Sequence, residues 1–234
     1  MRLGKLYGIG VGPGDPELIT MKAIKILKEV DVVLTPKSGE NKDSMAFSIV
    51  KKILSKDFKI IDPVFPMIKD EEILEKHWNN TVDLIFSELK EGKNVAFITI
   101  GDPLFYSTYS YVVRKMKERY PEVEIETVPG ITSLSACLAE LNIPLGEKDE
   151  RIGIFPASYG LEKLEELANI FDSLVLMKVS KNFDEIVRTL EKTGLKNKSI
   201  FVSRCGSEDF VSSDLDSMVG KEIDYFSMII IKGK

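Results

Sequence analysis

Histidine and cysteine are scarce in this chain of 234 residues, which has one histidine and two cysteines. A Ser-His-Asp triad or a histidine-ligated metal would have to use His77, which lies in a long charged helical pattern typical of an exposed or partly packed helix residue. Cys137 and Cys205 lie far apart and form no C-x-x-C pair, so we expect neither a disulfide framework nor a thiolate zinc site. The sequence therefore predicts no metal site and disfavours many hydrolase and metalloenzyme mechanisms.

Long apolar runs and an excess of basic charge are also lacking. No run approaches the roughly 18 apolar residues that a membrane-spanning helix needs. The first five residues pass directly into a strand-like segment without the pattern of a signal peptide. A net charge of −5 argues against general nucleic-acid binding. We therefore expect a cytoplasmic protein with neither a membrane nor a nucleic-acid partner.

Strand-like and helix-like patterns alternate along the chain, which predicts an α/β protein. Strands are expected over 6–11, 31–35, 59–62, 95–100, 123–128, 152–155, 174–179, 200–203 and 226–232. Helices are expected over 18–30, 44–54, 70–91, 107–119, 132–141, 161–171 and 182–193, with a short one over 214–219. A polar turn at 120–122 is the best boundary, giving an N-terminal α/β domain over 1–119 with a parallel sheet and a C-terminal α/β domain over 123–234 with a mixed sheet.

A glycine-rich loop follows the first strand, with glycine at every second position from Gly8 to Gly14. It does not fit the dinucleotide-binding fingerprint, because Pro13 or Asp15 stands where the third glycine belongs, and Asp15 would repel a pyrophosphate. No G-K-[ST] follows, so it is not a Walker loop either. The loop is interpreted as a side-chain-free turn that lets another group approach the end of the strand, or as glycine-rich for turn geometry alone.

Two further loops follow strands. The segment 101–109 begins Gly-Asp-Pro after the most apolar strand, and Asp102 could attract a cationic ligand or accept from its amine, or Asp102 or Ser107 could cap the next helix. The segment 128–133, Val-Pro-Gly-Ile-Thr-Ser, places the hydroxyls of Thr132 and Ser133 at a helix start, where they could contact a ligand or serve as N-caps.

These three loops, in this order and at this spacing, resemble those of the tetrapyrrole methylases, the class III S-adenosylmethionine methyltransferases, and the resemblance covers the whole chain. Within that family the chain is most similar to the C-20 methyltransferases that act on precorrin-2 or cobalt-factor II in corrin (cobalamin) biosynthesis. The segments that carry this are 12–22, 102–111 and 141–145, and Tyr-Ser-Thr-Tyr at 106–109 is the most discriminating. The resemblance implies a homodimer with the active site in the cleft between two α/β domains.

The resemblance also implies a set of cofactor-binding residues for S-adenosylmethionine, whose product is S-adenosylhomocysteine. They are Pro13, Ile100, Gly101, Asp102, Phe105, Thr132, Ser133, Met177, Cys205 and Met228. Met177 corresponds to an apolar wall of the adenine pocket, Cys205 to a small residue beside the cofactor, and Met228 is a weaker match. Simple core packing would also explain both methionines.

The substrate carries many carboxylates, so an acidic protein needs local cations to bind it. The candidates are Lys37, Arg151, Lys178 and Arg204, each near a strand end, although solvation at the surface would explain each of them too. Tyr106 and Tyr109 could orient or protonate the ring, or pack a helix.

The catalytic residues stay unassigned. Uroporphyrinogen-type relatives carry an aspartate, proposed as a proton acceptor, just after the second strand, where this chain has Pro36. No general base can therefore be transferred from them to this sequence.

Two other functions remain open at this point. One is a different class III methylase acting on another corrin carbon, or on a protein or RNA in the manner of diphthine synthase; tetrapyrrole binding would separate it from the first. The other is a non-enzymatic or nucleotide-binding α/β module, which predicts no binding of S-adenosylhomocysteine. Both precorrin-2 and its cobalt complex remain open as the substrate.

Overall fold

The computed structural model describes residues 2–37, 44–66, 68, 70–157 and 161–232. The chain divides into two compact units, Met1–Thr132 and Ser133–Lys234. Within the described residues each unit has a five-stranded sheet with helices connecting the strands, so the predicted α/β class is confirmed.

The first unit is built on a wholly parallel sheet. Within its described residues the strands are β1 (Leu6–Gly10), β2 (Val32–Leu34), β3 (Lys59–Ile61), β4 (Val95–Thr99) and β5 (Ile125–Val128), in the order β3-β2-β4-β1-β5. The helices are α1 (Met21–Glu29), α2 (Met45–Ile53), α3 (Glu71–Lys90) and α4 (Tyr109–Arg119). Because helices cover both faces, β4 is a continuous apolar strand whose first four residues are fully buried.

The start of α1 differs from the sequence prediction. Asp15 accepts from the backbone N–H of Glu17, but the element that it caps is a single 3-10 turn, Pro16–Leu18. The α-helix begins at Met21 with Thr20 as N-cap, whose Oγ1 accepts from the N–H of Ala23 at 3.2 Å. The prediction of one helix over 18–30 was wrong because two N-caps, Asp15 and Thr20, follow each other within six residues. The apolar spacing that follows is compatible with a helix that begins after either of them.

The predicted boundary at 120–122 also differs from the structure. Residues of β5 pair in parallel with β1, from Leu6 opposite Ile125 to Ile9 opposite Val128, so β5 completes the first sheet. The chain passes into the second unit after Thr132 instead. The polar turn at 120–122 is an ordinary connection between α4 and β5, and in sequence such a turn has the same composition as an interdomain linker.

The second unit has a mixed sheet. Its helices are α5 (Ser133–Leu141), α6 (Leu164–Ile170) and α7 (Phe183–Lys192). Within its described residues the strands are β6 (Ile152–Pro156), β7 (Ser173–Met177), β8 (Ser199–Ser203), β9 (Val211–Ser213) and β10 (Ser227–Lys232), in the order β6-β7-β10-β8-β9. Only β6 and β7 pair in parallel among these strands. The sequence prediction missed β9, since this strand has only three residues, two of them serines, and none is buried.

The two faces of this second sheet are lined by different residues. On one face Leu176 and Ile229 pack with Phe183 and Ile186 of α7 in an apolar core. The side chains alternate along each strand, so Met177 and Met228 lie on the opposite face. No helix in the described part of the chain is long and apolar enough to cross a membrane.

Candidate active site

Three glycines meet at the carboxyl ends of β1 and β4, where open parallel sheets bind their ligands. A Cβ on Gly10 would lie 2.4 Å from the carbonyl oxygen of Gly101, and one on Gly130 would lie 2.0 Å from the same oxygen. Real Cβ atoms do not approach so closely, so each position requires glycine. The sequence predicted a turn without side chains that another group could approach. In the structure, the backbone of the other two loops approaches it.

The chain crosses this junction in left-handed backbone conformations. Gly12 has φ +78° and Gly101 has φ +68°, both readily adopted only by glycine. The N–H of Gly101 donates to the carbonyl of Gly12 at 2.8 Å, which joins the first two loops. Pro13 is buried beside Gly12, and the Cα of Thr132 would lie 4.0 Å from a Cβ on Gly101. The structure thus brings Pro13, Gly101 and Thr132 of the predicted cofactor set onto one group of loops.

Asp102 holds two of these loops together. One carboxylate oxygen accepts from the N–H of Leu104 at 2.8 Å, and the other accepts from the N–H of Gly130 at 3.0 Å. Hydrogen bonds to an ionised acceptor are the stronger kind, so this brace fixes the position of its own loop against 128–132. Neither a helix cap nor an attraction for a cationic ligand is needed to explain the residue.

The two tyrosines that the sequence proposed for the substrate occupy different environments. Tyr109 is fully buried, its ring lies against Gly8, and its hydroxyl is 3.1 Å from Oγ1 of Thr127. Burial raises the pKa of Tyr109, an effect that the hydrogen bond to Thr127 partly offsets. A substrate contact for Tyr109 is therefore contradicted, because the residue is part of the core between β1 and α4. Tyr106 is exposed and has φ +54°.

The remaining first-unit candidates lie beside the same loops. Ile100 is half-buried and packs against the core that contains Ile98, while Phe105 is half-buried and meets Tyr106 edge to face, with ring centroids 5.1 Å apart. Ser107 accepts from the N–H of Tyr109 at 3.2 Å and donates to Oγ1 of Thr99 at 3.1 Å, so the loop is tied to β4 at its far end as well.

In the second unit, the two predicted methionines are neighbours. Met177 and Met228 lie directly opposite each other across β7 and β10, and Val202 lies opposite Met228 on β8. Residues that face each other across antiparallel strands point to the same side of the sheet. Met228 is buried and Met177 is half-buried, so together they form a polarisable apolar surface.

Cys205 is disulfide-bonded to Cys137, which corrects the expectation that the two cysteines are unrelated. Cys137 lies in α5, four residues after Ser133, the first residue of that helix. The bond therefore ties the middle of α5 to the turn after β8. The sequence offered no signal for the pair, since 68 residues separate its members and only the packing of the second unit brings them together.

The four predicted cations are divided between the two units. Lys37 lies in the first unit, where its ammonium pairs with Asp62 and this hydrogen bond lowers the pKa of the Asp62 carboxyl. In the second unit, Arg151 contacts Asp172 at 3.3 Å and Arg204 contacts Asp224 at 2.7 Å. Neighbouring carboxylates thus offset the charge of these three residues.

Lys178 and Arg204 share an unusual backbone conformation. Each comes directly after a strand, β7 or β8, and has positive φ, 59° for Lys178 and 52° for Arg204. Such conformations are costly for residues other than glycine and are concentrated at functional sites. Arg204 also lines an open cavity of about 490 Å³ with Phe210, Met218 and Glu222.

Comparison with known proteins gives a consistent result. Residues 5–217 match the family model described as Tetrapyrrole (Corrin/Porphyrin) Methylases. A probable cobalt-precorrin-2 C(20)-methyltransferase from Methanocaldococcus jannaschii is 43% identical over 97% of this chain and 96% of its own length. The cobalt-precorrin-2 C(20)-methyltransferase of Salmonella typhimurium is 34% identical over 86% of this chain and 83% of its own.

Solved structures agree with this result. A cobalt precorrin-4 methyltransferase superposes with a TM-score of 0.76 at 27% identity, covering 97% of this chain and 94% of that one. A uroporphyrin-III C-methyltransferase from Thermus thermophilus, complexed with S-adenosylhomocysteine, superposes with a TM-score of 0.69 at 23% identity, covering 97% of this chain and 92% of that one. At that lower identity the likeness concerns the fold.

Proposed function

The chain belongs to the tetrapyrrole methylase family, and on that premise we propose that it transfers a methyl group from S-adenosylmethionine to C-20 of precorrin-2 or cobalt-factor II. The observation that carries the proposal is the similarity to the Methanocaldococcus jannaschii C(20)-methyltransferase, which extends over nearly the whole of both chains. The reaction belongs to corrin biosynthesis, and the enzyme is a C-methyltransferase.

The residues present fit S-adenosylmethionine as the methyl donor. In the first unit, Gly101 puts no side chain into the junction of the loops, and no described atom lies closer than 4.0 Å to its Cβ position, which leaves room for a ligand beside Pro13 and Thr132. In the second unit, the adjacent sulfurs and methylenes of Met177 and Met228 offer the kind of soft apolar surface that suits a purine ring. These residues, with Ile100, Phe105, Ser133 and Cys205, are our proposed cofactor contacts.

The chemistry that we propose needs positioning more than acid–base catalysis. The bound cofactor supplies an electrophilic sulfonium methyl group, and the meso carbon of a reduced tetrapyrrole is enamine-like and nucleophilic. The chain itself has to hold the reactants in line, which can contribute on the order of 7–11 kcal/mol at best. Asp102 serves this purpose by bracing its loop, since both of its carboxylate oxygens accept from backbone N–H groups.

The substrate carboxylates require cations, and Lys37, Arg151, Lys178 and Arg204 remain the proposed contacts. The carboxylate partners of Lys37, Arg151 and Arg204 do not prevent this role. A substrate carboxylate can share the cation with its partner or take the partner's place. Charge reversal at a true contact should raise the substrate KM and make it more dependent on salt. An unchanged KM in all four variants would reject the set.

We further propose a cytoplasmic homodimer, as the family resemblance implies. Native mass spectrometry of the purified protein would show the dimer mass, and a monomer at micromolar concentration would contradict the assembly.

The experiment that tests the function is methyl transfer from labelled S-adenosylmethionine to precorrin-2 and to its cobalt complex, side by side under anaerobic conditions. Label at C-20 of either product supports the proposal, and the preferred substrate shows whether cobalt is inserted first. If neither product is labelled while S-adenosylhomocysteine still binds, the substrate assignment is wrong and another methylase activity of this family takes its place.

A further inference from the structure

The loop after β4 displays large apolar side chains where a soluble protein would ordinarily place polar ones. Leu104 is 61% exposed and Tyr106 is 48% exposed, and half-buried Phe105 lies between them in the chain. Single exposed apolar residues need no explanation, but three consecutive ones at the ligand-binding edge of a parallel sheet do.

This loop is held rigidly. Asp102 fastens its beginning through the N–H groups of Leu104 and Gly130, and Ser107 fastens its end to Thr99. The rings of Phe105 and Tyr106 meet edge to face, an arrangement that aromatic pairs prefer. The ring of Tyr106 is therefore presented in a defined direction.

Tyr106 has φ +54°, a conformation that glycine or asparagine adopts more easily than tyrosine does. Strained backbone conformations of this kind are concentrated at functional sites. A residue that bears such strain on a well-fixed loop is therefore a candidate for function.

Comparison with Tyr109 shows which of the two tyrosines can contact a substrate. Both residues belong to the stretch Tyr-Ser-Thr-Tyr at 106–109. Tyr109 is enclosed by Gly8 and Thr127 and cannot reach a ligand. Of the two tyrosines, Tyr106 is the one that can contact a substrate and so select it.

We propose that Leu104, Phe105 and Tyr106 form a rigid apolar platform that lies against one face of the tetrapyrrole ring system, with Tyr106 as its specificity-determining residue. This inference rests on the proposed function. A macrocycle has broad π faces and an acidic rim, so an aromatic ring with an apolar neighbour matches the faces while cations elsewhere meet the rim. The contact is made by the ring of Tyr106, and its hydroxyl is not needed.

Two variants separate the ring from the backbone. Tyr106→Asn removes the ring but tolerates positive φ, so the loop keeps its conformation. Tyr106→Phe keeps the ring and removes the hydroxyl. As a matched control, Leu84→Gln removes an equally exposed apolar side chain from α3, outside the loop.

We expect Tyr106→Asn to raise the tetrapyrrole KM, and the Kd from an absorbance titration, about tenfold, in line with the loss of one stacked aromatic contact. The Kd for S-adenosylhomocysteine and the urea midpoint should stay near the wild-type values, which a merely structural role would not allow. Tyr106→Phe should keep a tetrapyrrole Kd within about twofold of wild type, because the ring remains, and Leu84→Gln should keep wild-type values throughout.

Three results would overturn the platform. One is an unchanged tetrapyrrole Kd in Tyr106→Asn. Another is a fall in kcat for Tyr106→Phe with KM unchanged, which would make the hydroxyl a proton donor. The last is a wild-type protein that neither binds nor methylates the tetrapyrroles, which would overturn the proposed function as well. If the wild-type protein methylates the tetrapyrrole and Tyr106→Asn binds it equally well, the platform is rejected while the proposed function stands.

Discussion

The two units fix their candidate ligand-binding loops by different means. In the first unit the backbones of Gly10, Gly101 and Gly130 are packed together, and the carboxylate of Asp102 links two of the loops. In the second unit the Cys137–Cys205 disulfide ties α5 to the turn after β8.

The two units therefore differ in the conditions that can destabilise them. Steric packing of backbone on backbone cannot be relieved by a change of solution conditions, whereas a disulfide can be opened by a thiol reductant. The second unit should therefore respond to redox conditions and the first should not. The first two predictions below test this contrast directly, the other two probe one polar group in each unit, and all are ordered from the largest expected effect to the smallest.

Adding one methyl group at the glycine junction should be the most damaging change. In Gly130→Ala the new Cβ would lie 2.0 Å from the Gly101 carbonyl oxygen and 2.8 Å from the Cα of Gly10. Because both neighbours are backbone, we expect a loss of more than about 4 kcal/mol in the free energy of unfolding. Urea unfolding measures it.

The matched control is Gly220→Ala in the second unit. Gly220 has a left-handed φ of +74°, unlike Gly130, and no heavy atom lies within 4 Å of its Cβ position among the described residues. It should cost only about 1–2 kcal/mol, for the backbone conformation alone. Equal losses in the two variants would show that contact at the strand ends is not what requires glycine.

Opening the disulfide should have the next largest effect. Closing a loop of this length stabilises a protein by about 4 kcal/mol at most in the chain-entropy model. The double variant Cys137→Ser/Cys205→Ser should therefore lose up to that amount, with faster hydrogen exchange in 133–232 and unchanged exchange in 2–132. Adding a dithiol should affect the wild-type protein in the same way and leave the double variant unaltered. Faster exchange in both units would contradict the contrast.

The sequence was a good guide wherever the signal was local. Strand and helix positions followed from apolar periods, and the order of the three loops pointed to their place at the strand ends. Features that depend on distant residues were not accessible. The partner of Cys205 and the amide of Gly130 that Asp102 accepts from are supplied by tertiary packing. Likewise, Tyr106 and Tyr109 are chemically identical in sequence, and only the packing of Tyr109, the first residue of α4, against Gly8 makes it the buried one.

Acid should weaken the first unit through Glu88, a buried carboxylate that pairs with Lys59 and Lys93. The hydrogen bond from Lys59, followed by that from Lys93, lowers the pKa of Glu88 below 4.5. A lowered folded-state pKa means that this stabilisation is present above pH 4.5 and is lost as the pH falls through the folded-state value.

Glu88→Gln should therefore cost about 1–3 kcal/mol at pH 7 and flatten the decline of stability below pH 4.5. Urea unfolding between pH 3 and pH 7 tests both statements. Glu91→Gln is the control, since exposed Glu91 also pairs with Lys93, at 2.6 Å, and should change stability by less than about 1 kcal/mol. If the stability of Glu88→Gln declines below pH 4.5 as steeply as that of the wild-type protein, other carboxylates are responsible for the acid sensitivity.

The smallest effect should come from Ser173 at the start of β7. Its side chain is buried, and its hydroxyl has no hydrogen-bond partner among the residues that the structure describes. Burial of an unsatisfied hydroxyl opposes folding, so Ser173→Ala should leave the free energy of unfolding unchanged or raise it by up to about 1 kcal/mol. Ser227→Ala in β10 removes an equally buried hydroxyl that donates to the carbonyl of Asp224 at 2.6 Å, and it should lower stability by about 1 kcal/mol. The opposite signs of the two urea-derived values distinguish a satisfied from an unsatisfied hydroxyl in one sheet. A loss of similar size in Ser173→Ala would mean that this hydroxyl binds a water molecule that contributes to the second unit's stability.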